Sequence, residues 1–537
     1  MKNYLTVFTL IFFLIFAACE ISETSEQENY SEGDTSNLKP PKNDDANSIV
    51  SLVQSSTVKN VTQHTYATIK VLVDEAIRLA GGLEGIIKSG DTVVLKPNII
   101  TTIYGWAWPN GTRIPAGAPN ASTPTAPNGI VTDWRVVQAV AENVRKIIGS
   151  SGKIIVMEGS GVGNPASGTM TQFANVGYTL TNLSAVDEIV ALDNIGGAYW
   201  TNPNPSVVPS DILKLKLENP VFNTPFNQSD YGGNQMSPVY TSYDGQGNYF
   251  VAKRMYEADA LICIPVLKLH TTAGTTGAIK NISIGATPPK IYGNSADSIG
   301  RNYRIPHNES NGIHKWIADY YSVMPADFVV MEALQGVDQG PLPPAGDASA
   351  LKKMNSMLAS RDGLAIDVVL SNIIQVDYTR VGHLVYLTER GVVGTKQNKI
   401  LTVRGDPKDI IVIGNKRVHD LRNGVNFTGS ITTGLNGGIG TTRLSASQLT
   451  KPTVAITSAS FASDDLKLNL NVSANTVKAD IYIDNQYIKS VKSNFGQITV
   501  NASEISAQVD LEDSCKVTVY VFTNYMAYGE ASVTAEK

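Results

Sequence analysis

Cysteine is almost absent from this chain. Cys19, Cys263 and Cys515 are the only three among 537 residues, and no two of them form a Cys-x-x-Cys pair. That spacing excludes a thiolate zinc site and leaves no ligand set for an iron–sulfur cluster, so no iron–sulfur cofactor is expected. Cys263 and Cys515 fall in stretches of different texture, which argues against a structural disulfide, and Cys263 reads as a small buried apolar residue. Positive charge is not in excess either. Lys and Arg number 43 against 48 Asp and Glu, a net charge of -5, and nothing suggests a nucleic-acid surface. Histidine is scarce as well. His307 and His314 lack the i, i+4 spacing of a helical metal pair, while His64, His383 and His419 have no visible partners, so surface or packing roles are expected for all five. Long apolar runs are limited to Tyr4 to Phe16, which is shorter than the roughly 20 residues a transmembrane helix needs.

That one run has a clear setting. Met1-Lys2-Asn3 supplies a short cationic start, and Phe16-Ala17-Ala18-Cys19 supplies small residues before a cysteine. The arrangement resembles a bacterial lipoprotein signal, residues 1–19, although phenylalanine stands where leucine is usual; Cys19 would be the lipidated residue. Residues 20–48 are rich in Glu, Ser, Asn and Asp and contain Pro40-Pro41, which describes a disordered tether. Glu20, Glu23, Glu26, Glu28, Glu32 and Asp34 precede Lys39, and this acidity resembles surface-export tethers of the Bacteroidetes type, while a solvated spacer explains it equally well. The reading places the protein in the cell envelope, held to the outer membrane through its N-terminal lipid and facing the periplasm or the cell surface.

The remaining roughly 490 residues suffice for two to four domains. From Tyr66 to Arg417 helical and strand patterns alternate. Ile69 to Ile87 and Thr132 to Ile148 have helical apolar spacing, the second with Thr132 or Asp133 as cap. Asp91 to Leu95, Lys153 to Met157, Ala260 to Leu267, Phe328 to Met331 and Lys399 to Val403 read as strands, with further helices from Asp362 and from about Arg380. Such alternation predicts an α/β domain over 49–448, a mostly parallel sheet with helices on both faces. Two long insertions interrupt it, at 99–130 with Trp106 and Trp108, and at 194–250, rich in Asn, Pro, Tyr and Gly. Loops of this length are functional or disordered, and the tryptophans suit either a lid or a packed loop. Over 449–537 the pattern changes to strict alternation, as in Leu466-Lys-Leu-Asn-Leu-Asn-Val472 and Lys516-Val-Thr-Val-Tyr-Val521. This predicts an antiparallel β-sandwich of about seven strands, which resembles an immunoglobulin or fibronectin type III module. It carries no clustered histidines or paired carboxylates, so a spacer or glycan-contacting appendage is expected.

The densest chemistry lies in Lys268-Leu-His270-Thr-Thr-Ala-Gly-Thr-Thr-Gly-Ala-Ile-Lys280-Asn281, which follows the Ala260 to Leu267 strand. Ligands of open α/β sheets bind at the carboxyl ends of strands. A helix starting near Thr272 would align Thr272, Thr276 and Lys280. His270 can move a proton, with Lys268 and Lys280 holding negative charge; equally, these residues can satisfy loop carbonyls and cap the next helix. Lys96 and Asn98, one face of Lys96-Pro97-Asn98, suit a carboxylate or phosphate, or simply stiffen a turn. Glu158 at another strand end can act as a general base or a ligand, and the glycine-rich loop from Gly159 to Gly163 either approaches a phosphate or makes a tight turn. Asp362 sits where a helix N-cap belongs, and Asp367, five residues on, lies about 140° around that helix.

Taken in order, these stretches resemble the uncharacterised family catalogued as domain of unknown function 362. The matching residues are Gly90-Asp91-Thr-Val-Val-Leu-Lys96-Pro97-Asn98, Thr132-Asp133, Glu158-Gly159-Ser160-Gly161, Lys268-Leu-His270, Gly277-Ala-Ile-Lys280-Asn281, Gly336-Val-Asp-Gln-Gly340-Pro341 and Ser360-Arg361-Asp362-Gly363-Leu-Ala-Ile-Asp367. The resemblance implies an α/β domain, sometimes fused to a ferredoxin-like domain, without an established reaction. This chain lacks the ferredoxin cysteines. The expected function is an enzyme on a small anionic or hydroxylated substrate, with His270, Lys268 and Glu158 catalytic and Lys96, Asn98, Lys280, Asn281 and Asp362 binding substrate. A non-catalytic surface binder of glycan or protein partners is the alternative, and an auxiliary protein handling a metal or redox cofactor is a third. A metal at His270 with Glu158 and Asp362 is left open, although no spacing argues for it, and the cofactor stays unknown.

Overall fold

Eight strands carry the larger part of the molecule. They are β1 (Ser48–Gln54), β2 (Thr92–Pro97), β3 (Lys153–Glu158), β4 (Glu188–Ala191), β5 (Ala260–Ile264), β6 (Phe328–Val337), β7 (Leu351–Ser360) and β8 (Ile410–Ile413). They form one sheet in the order β8-β1-β7-β6-β5-β2-β3-β4. Only β7 runs against its neighbours; the other pairs are parallel. The computed structural model describes residues 35, 37–41, 46–99, 128–159, 169–198, 207–221, 247–292, 305, 312–338, 340, 348–396, 399–429, 431 and 441–537. Cys19 with the signal, most of the tether, Trp106, Trp108 and the loop from Ser160 to Gly163 lie outside them.

The mostly parallel α/β sheet covered on both faces follows from its alternation. Val50, Leu52, Val94, Ile155, Met157, Leu261, Cys263, Val329 and Met331 share one core cluster with α3 (Ala278–Gly285), α4 (Gly312–Val323), α5 (Gly363–Ile373) and α6 (Gly382–Arg390). The intervening residues, such as Val93, Leu95, Ile262 and Val330, are buried on the other face, where α1 (Tyr66–Leu79) and α2 (Trp134–Ile148) lie. Each such aliphatic side chain contributes about 1.5–3 kcal/mol on burial, which is why every residue of β5 is apolar and enclosed. Local signals fix the ends: Asp133 accepts the Arg135 N–H to cap α2, and Gly149 closes it at φ 68°.

Several expectations change. Thr272, Thr276 and Lys280 do not share a helix, because Thr272 and Ala273 form a tight turn, Gly274 bends it at φ 76°, and Gly274–Thr276 pairs back on Lys268–His270. Only then does α3 begin. Lys399–Thr402 does not join the main sheet; it pairs with Val392–Lys396 as a separate two-stranded hairpin. The strands β1, β4, β7 and β8 were not foreseen.

The C-terminal part has seven strands, in sheets of three and four, enclosing Leu466, Leu468, Ile481, Val517 and Val519. It is not a loose appendage. The Arg417 guanidinium lies over the Tyr520 ring at 4.1 Å and the Tyr482 ring at 5.1 Å. Lys478 Nζ donates to the Ile410 carbonyl at 2.7 Å, and Lys492 pairs with Asp409 at 2.6 Å. Gly33 to Lys537 accordingly form one compact unit. The described end of the tether belongs to it: Arg78 donates to the Leu38 and Thr35 carbonyls, and Lys39 donates to Gln486 and to the Gln508 carbonyl. Order therefore starts before residue 48, because backbone carbonyls there are held by α1 and the sandwich.

Candidate functional site

Along the carboxyl edge of the four neighbours β3, β2, β5 and β6, buried ionisable side chains come from the ends of β2 and β3, from within β6 and from the hairpin that follows β5. Lys96 and Glu158 form an ion pair at 2.7 Å with no exposure of either side chain. Lys96 Nζ also donates to the Pro97 carbonyl at 2.6 Å and to Asn281 Oδ1 at 3.1 Å. Glu158 accepts from the backbone N–H groups of Ile99 at 3.0 Å and Gly159 at 2.9 Å. The pair thus fixes where the chain leaves β2 and β3. Asn281, from α3, returns N–H groups to the Lys96 and Pro97 carbonyls and to Cys263 Sγ. Gly285 on the same helix makes room, since a Cβ there would meet Lys96 Nζ at 2.7 Å.

Beside this group lies a second one. Lys268 Nζ and Asn98 Nδ2 both donate to the Ile130 carbonyl, at 2.7 and 2.8 Å. Glu332, midway along β6 and bridged to Val266 just past β5, accepts the Asp133 backbone N–H at 2.7 Å through Oε2. Its Oε1 is buried without a hydrogen-bond partner among the described residues. Burial, with Asp133 nearby, pushes the Glu332 carboxyl up to about 8, against the pull of Arg135 and Lys268. Asp133 is itself held by Arg135 at 2.7 Å. Burial thus favours the protonated form of Glu332, with Lys268 near enough to oppose it.

His270 closes its own turn. Its Nδ1 accepts the N–H groups of Thr272 at 3.2 Å and Ala273 at 3.0 Å, which puts the proton of the neutral ring on Nε2. Below it, Asp367 accepts the Ala278 N–H at 2.8 Å and the Ile279 N–H at 3.0 Å, capping α3 from across α5. A Cβ at Gly277 would overlap the Asp367 carboxylate, so the two motifs fit only as a pair. Burial pushes the Asp367 carboxyl up to about 7 despite those two donors.

Lys280, on α3, acts on a pair of buried histidines. His314 Nδ1 and His383 Nδ1 stand 2.9 Å apart, and the ring centres 5.2 Å apart with planes 20° from parallel. The two rings meet through these nitrogens. A 2.9 Å separation is that of a shared N–H···N hydrogen bond, one Nδ1 donating to the other. Burial lowers His314 to about 4 and lowers His383 too, helped by His314 and Lys280, so both rings are neutral. Surface or packing roles were expected for both, and His383 was read as having no visible partner; each is the other's partner.

Asp362 is brought elsewhere. It follows β7, whose antiparallel course ends at the amino edge of the parallel strands, the opposite side of the sheet from Lys96. There Asp362 caps α5 through Leu364 and Ala365, and accepts Ser48 Oγ at 2.6 Å and the Arg404 N–H at 2.7 Å. Every lone pair that faces the protein is used in holding the fold.

With the geometry in place, comparison with known proteins adds a family match over part of the chain. Residues 212–372 match the model of the family described as Domain of unknown function (DUF362). The DUF362 match takes in Lys268, His270, Lys280, Glu332, Asp362 and Asp367, and is narrower than the run of motifs from Gly90 to Asp367. Among solved structures, the lactate racemase apoprotein from Thermoanaerobacterium thermosaccharolyticum is similar at 13% identity and a TM-score of 0.30, covering 66% of this chain and 59% of that one. Fibronectin(III)-like modules of Clostridium thermocellum CbhA align at 18% identity and 0.13, covering 16% and 46%. The Clostridium perfringens spore cortex lytic enzyme SleM aligns at 12% identity and 0.16, covering 20% and 38%. The chain thus spans under two thirds of each of these structures, and likeness this remote carries no argument about function. A search of curated proteins finds no match.

Within and beyond the DUF362 segment, the motifs named from sequence separate into five places: Lys96, Glu158 and Asn281; Lys268 and Asn98; the His270 turn; Lys280 with its histidines; and Asp362 at the far edge. Glu332 and Asp133 were missed as members of the site. The signal was present, a carboxylate inside Phe328-Val-Val-Met-Glu-Ala-Leu334, where strand patterning leads one to stop at Met331. Among the described residues no group of three or more His, Cys, Asp or Glu is arranged to hold a metal.

Proposed function

We propose that the carboxyl edge of the sheet is the active site of an envelope enzyme, lipid-anchored through Cys19, that acts on a small anionic or hydroxylated molecule. The observation that carries this reading is the collection along one edge of Lys96 from β2, Glu158 from β3, Glu332 from β6 and Lys268 from the hairpin after β5, all with 0% exposure. Ion pairs and carboxyls withdrawn from water cost several kcal/mol each and add little to stability compared with apolar packing, so their collection at one edge favours chemistry over scaffolding. Lys268 holds negative charge on the substrate, Glu332 gives or takes the proton, and His270 offers its Nε2–H to a developing anion. The Lys96–Glu158 pair positions the walls that leave β2 and β3.

The test starts from the full chain, screened by ligand-observed NMR against small hydroxy acids, sugar acids and phosphate esters, followed by turnover assays on whatever binds. The reading expects a ligand whose conversion falls at least about a hundredfold in Glu332→Gln with binding retained, the loss typical of a missing proton donor. A ligand bound and never converted, with Lys268→Met and Glu332→Gln affecting only affinity, would refute catalysis and leave a non-catalytic surface binding protein.

A further inference from the structure

A cavity of about 360 Å³ lies at the amino edge of the sheet, on the opposite side from the proposed active site. Ile49, Val393, Leu401 and Val403 supply apolar wall, and Arg361 and Arg404 line the same space. Arg361 is the unusual member. Its Nη2 donates to the carbonyls of Gly81 at 2.9 Å, Gly82 at 3.2 Å and Glu84 at 3.0 Å, which holds the side chain still. Its Nε is buried with no partner, and no carboxylate among the described residues forms an ion pair with it. Burial pulls the guanidinium down from its usual range, with Glu84 opposing only at a distance. Asp362, next in sequence, does not compensate it, because its oxygens already accept from Ser48, Arg404, Leu364 and Ala365.

A fixed, partly buried cation without an anion against it is costly, and a carboxylate that reached it would gain charge-assisted hydrogen bonds. The volume falls near the lower end of small-molecule sites, about 300–1,000 Å³. The nearby Asp362 carboxylate disfavours a dianion, and the aliphatic wall favours an apolar body. We propose that this cavity binds a small organic monocarboxylate with a short apolar body, its anion on Arg361 and its body against Ile49, Val393 and Leu401.

The probe is hexanoate, titrated into the full chain and followed by saturation-transfer NMR and calorimetry, with hexan-1-ol and inorganic phosphate as the neutral and the apolar-free comparators. Saturable hexanoate binding in the millimolar range or tighter, at least about tenfold stronger than either comparator, is expected. Arg361→Gln weakens it at least about tenfold. Because Arg361→Gln also loosens the Gly81 to Glu84 turn, Leu401→Trp is measured beside it; this fills the cavity from the hairpin, leaves Arg361 untouched and abolishes binding. Absence of saturation up to about 10 mM, binding unchanged in Leu401→Trp, or phosphate binding tighter than hexanoate would each overturn the proposal.

Discussion

Changing Lys96 to Met tests the central electrostatic claim. Lys96 and Glu158 meet at 2.7 Å with neither side chain exposed, so removal of the cation leaves a carboxylate in the interior. The N–H groups of Ile99 and Gly159 still reach it, but Asn281 Oδ1 and the Pro97 carbonyl lose a donor. Breaking a buried pair from one side costs about 3–5 kcal/mol, and the two surviving donors place Lys96→Met toward the lower end, about 3 kcal/mol. Glu158→Gln is expected to cost a similar amount, since it strands the ammonium. The double variant removes both charges, so it should lose far less than the two singles combined, with a coupling of at least about 2 kcal/mol. Urea unfolding of the four proteins, followed by intrinsic fluorescence and read as a cycle, measures this coupling. Single variants within about 0.5 kcal/mol of the parent, or a double equal to the sum of the singles, would refute the claim that this is an enclosed, mutually dependent pair.

Glu332→Gln should flatten the pH dependence of stability. The carboxyl is raised from 4.5 to about 8, so its contribution is full below about 4.5 and is lost as pH rises toward 8. Thermal unfolding at pH 5 and pH 8 should therefore show a larger fall for the parent than for the variant; equal falls would contradict the burial of that carboxyl. Asp367→Ala leaves the Ala278 and Ile279 N–H groups uncapped and should lower stability by about 1–2 kcal/mol, with faster hydrogen exchange confined to α3 and its neighbours. Exchange unchanged at 278–282 would reject the cap. For the histidine pair, ¹⁵N NMR of labelled protein should show His314 and His383 both neutral from pH 5.5 to 8, with one proton shared between Nδ1 atoms. Titration of either ring in that interval would rule out the buried hydrogen-bonded pair.

Legibility differed by kind of feature. The helix from Thr132, the strand from Ala260 and the alternation after Leu449 could all be read, because each is written in the spacing of consecutive residues. The turn after His270 was misread as the start of a helix, since Thr and Ala tolerate that conformation and only the pairing of Gly274–Thr276 with Lys268–His270 excludes it. Asp362 was correctly given a cap, yet its companionship with Lys96 could not be judged, because a single antiparallel strand, β7, carries it to the far edge. Asp367 shows the same gap: its helix is legible, while its carboxylate serves a different helix.

By itself the sequence determined the class of each segment: an α/β region with a mostly parallel sheet, a seven-stranded sandwich, and charged groups at strand ends. These follow from periodicity and composition, which act over a few residues. The tertiary structure alone decided which charges meet. It paired Lys96 with Glu158 across 62 positions, His314 with His383 across 69, and Asp367 with α3 across 89. Such pairings are set by strand order and by the direction in which each strand crosses the sheet, and no local pattern encodes either.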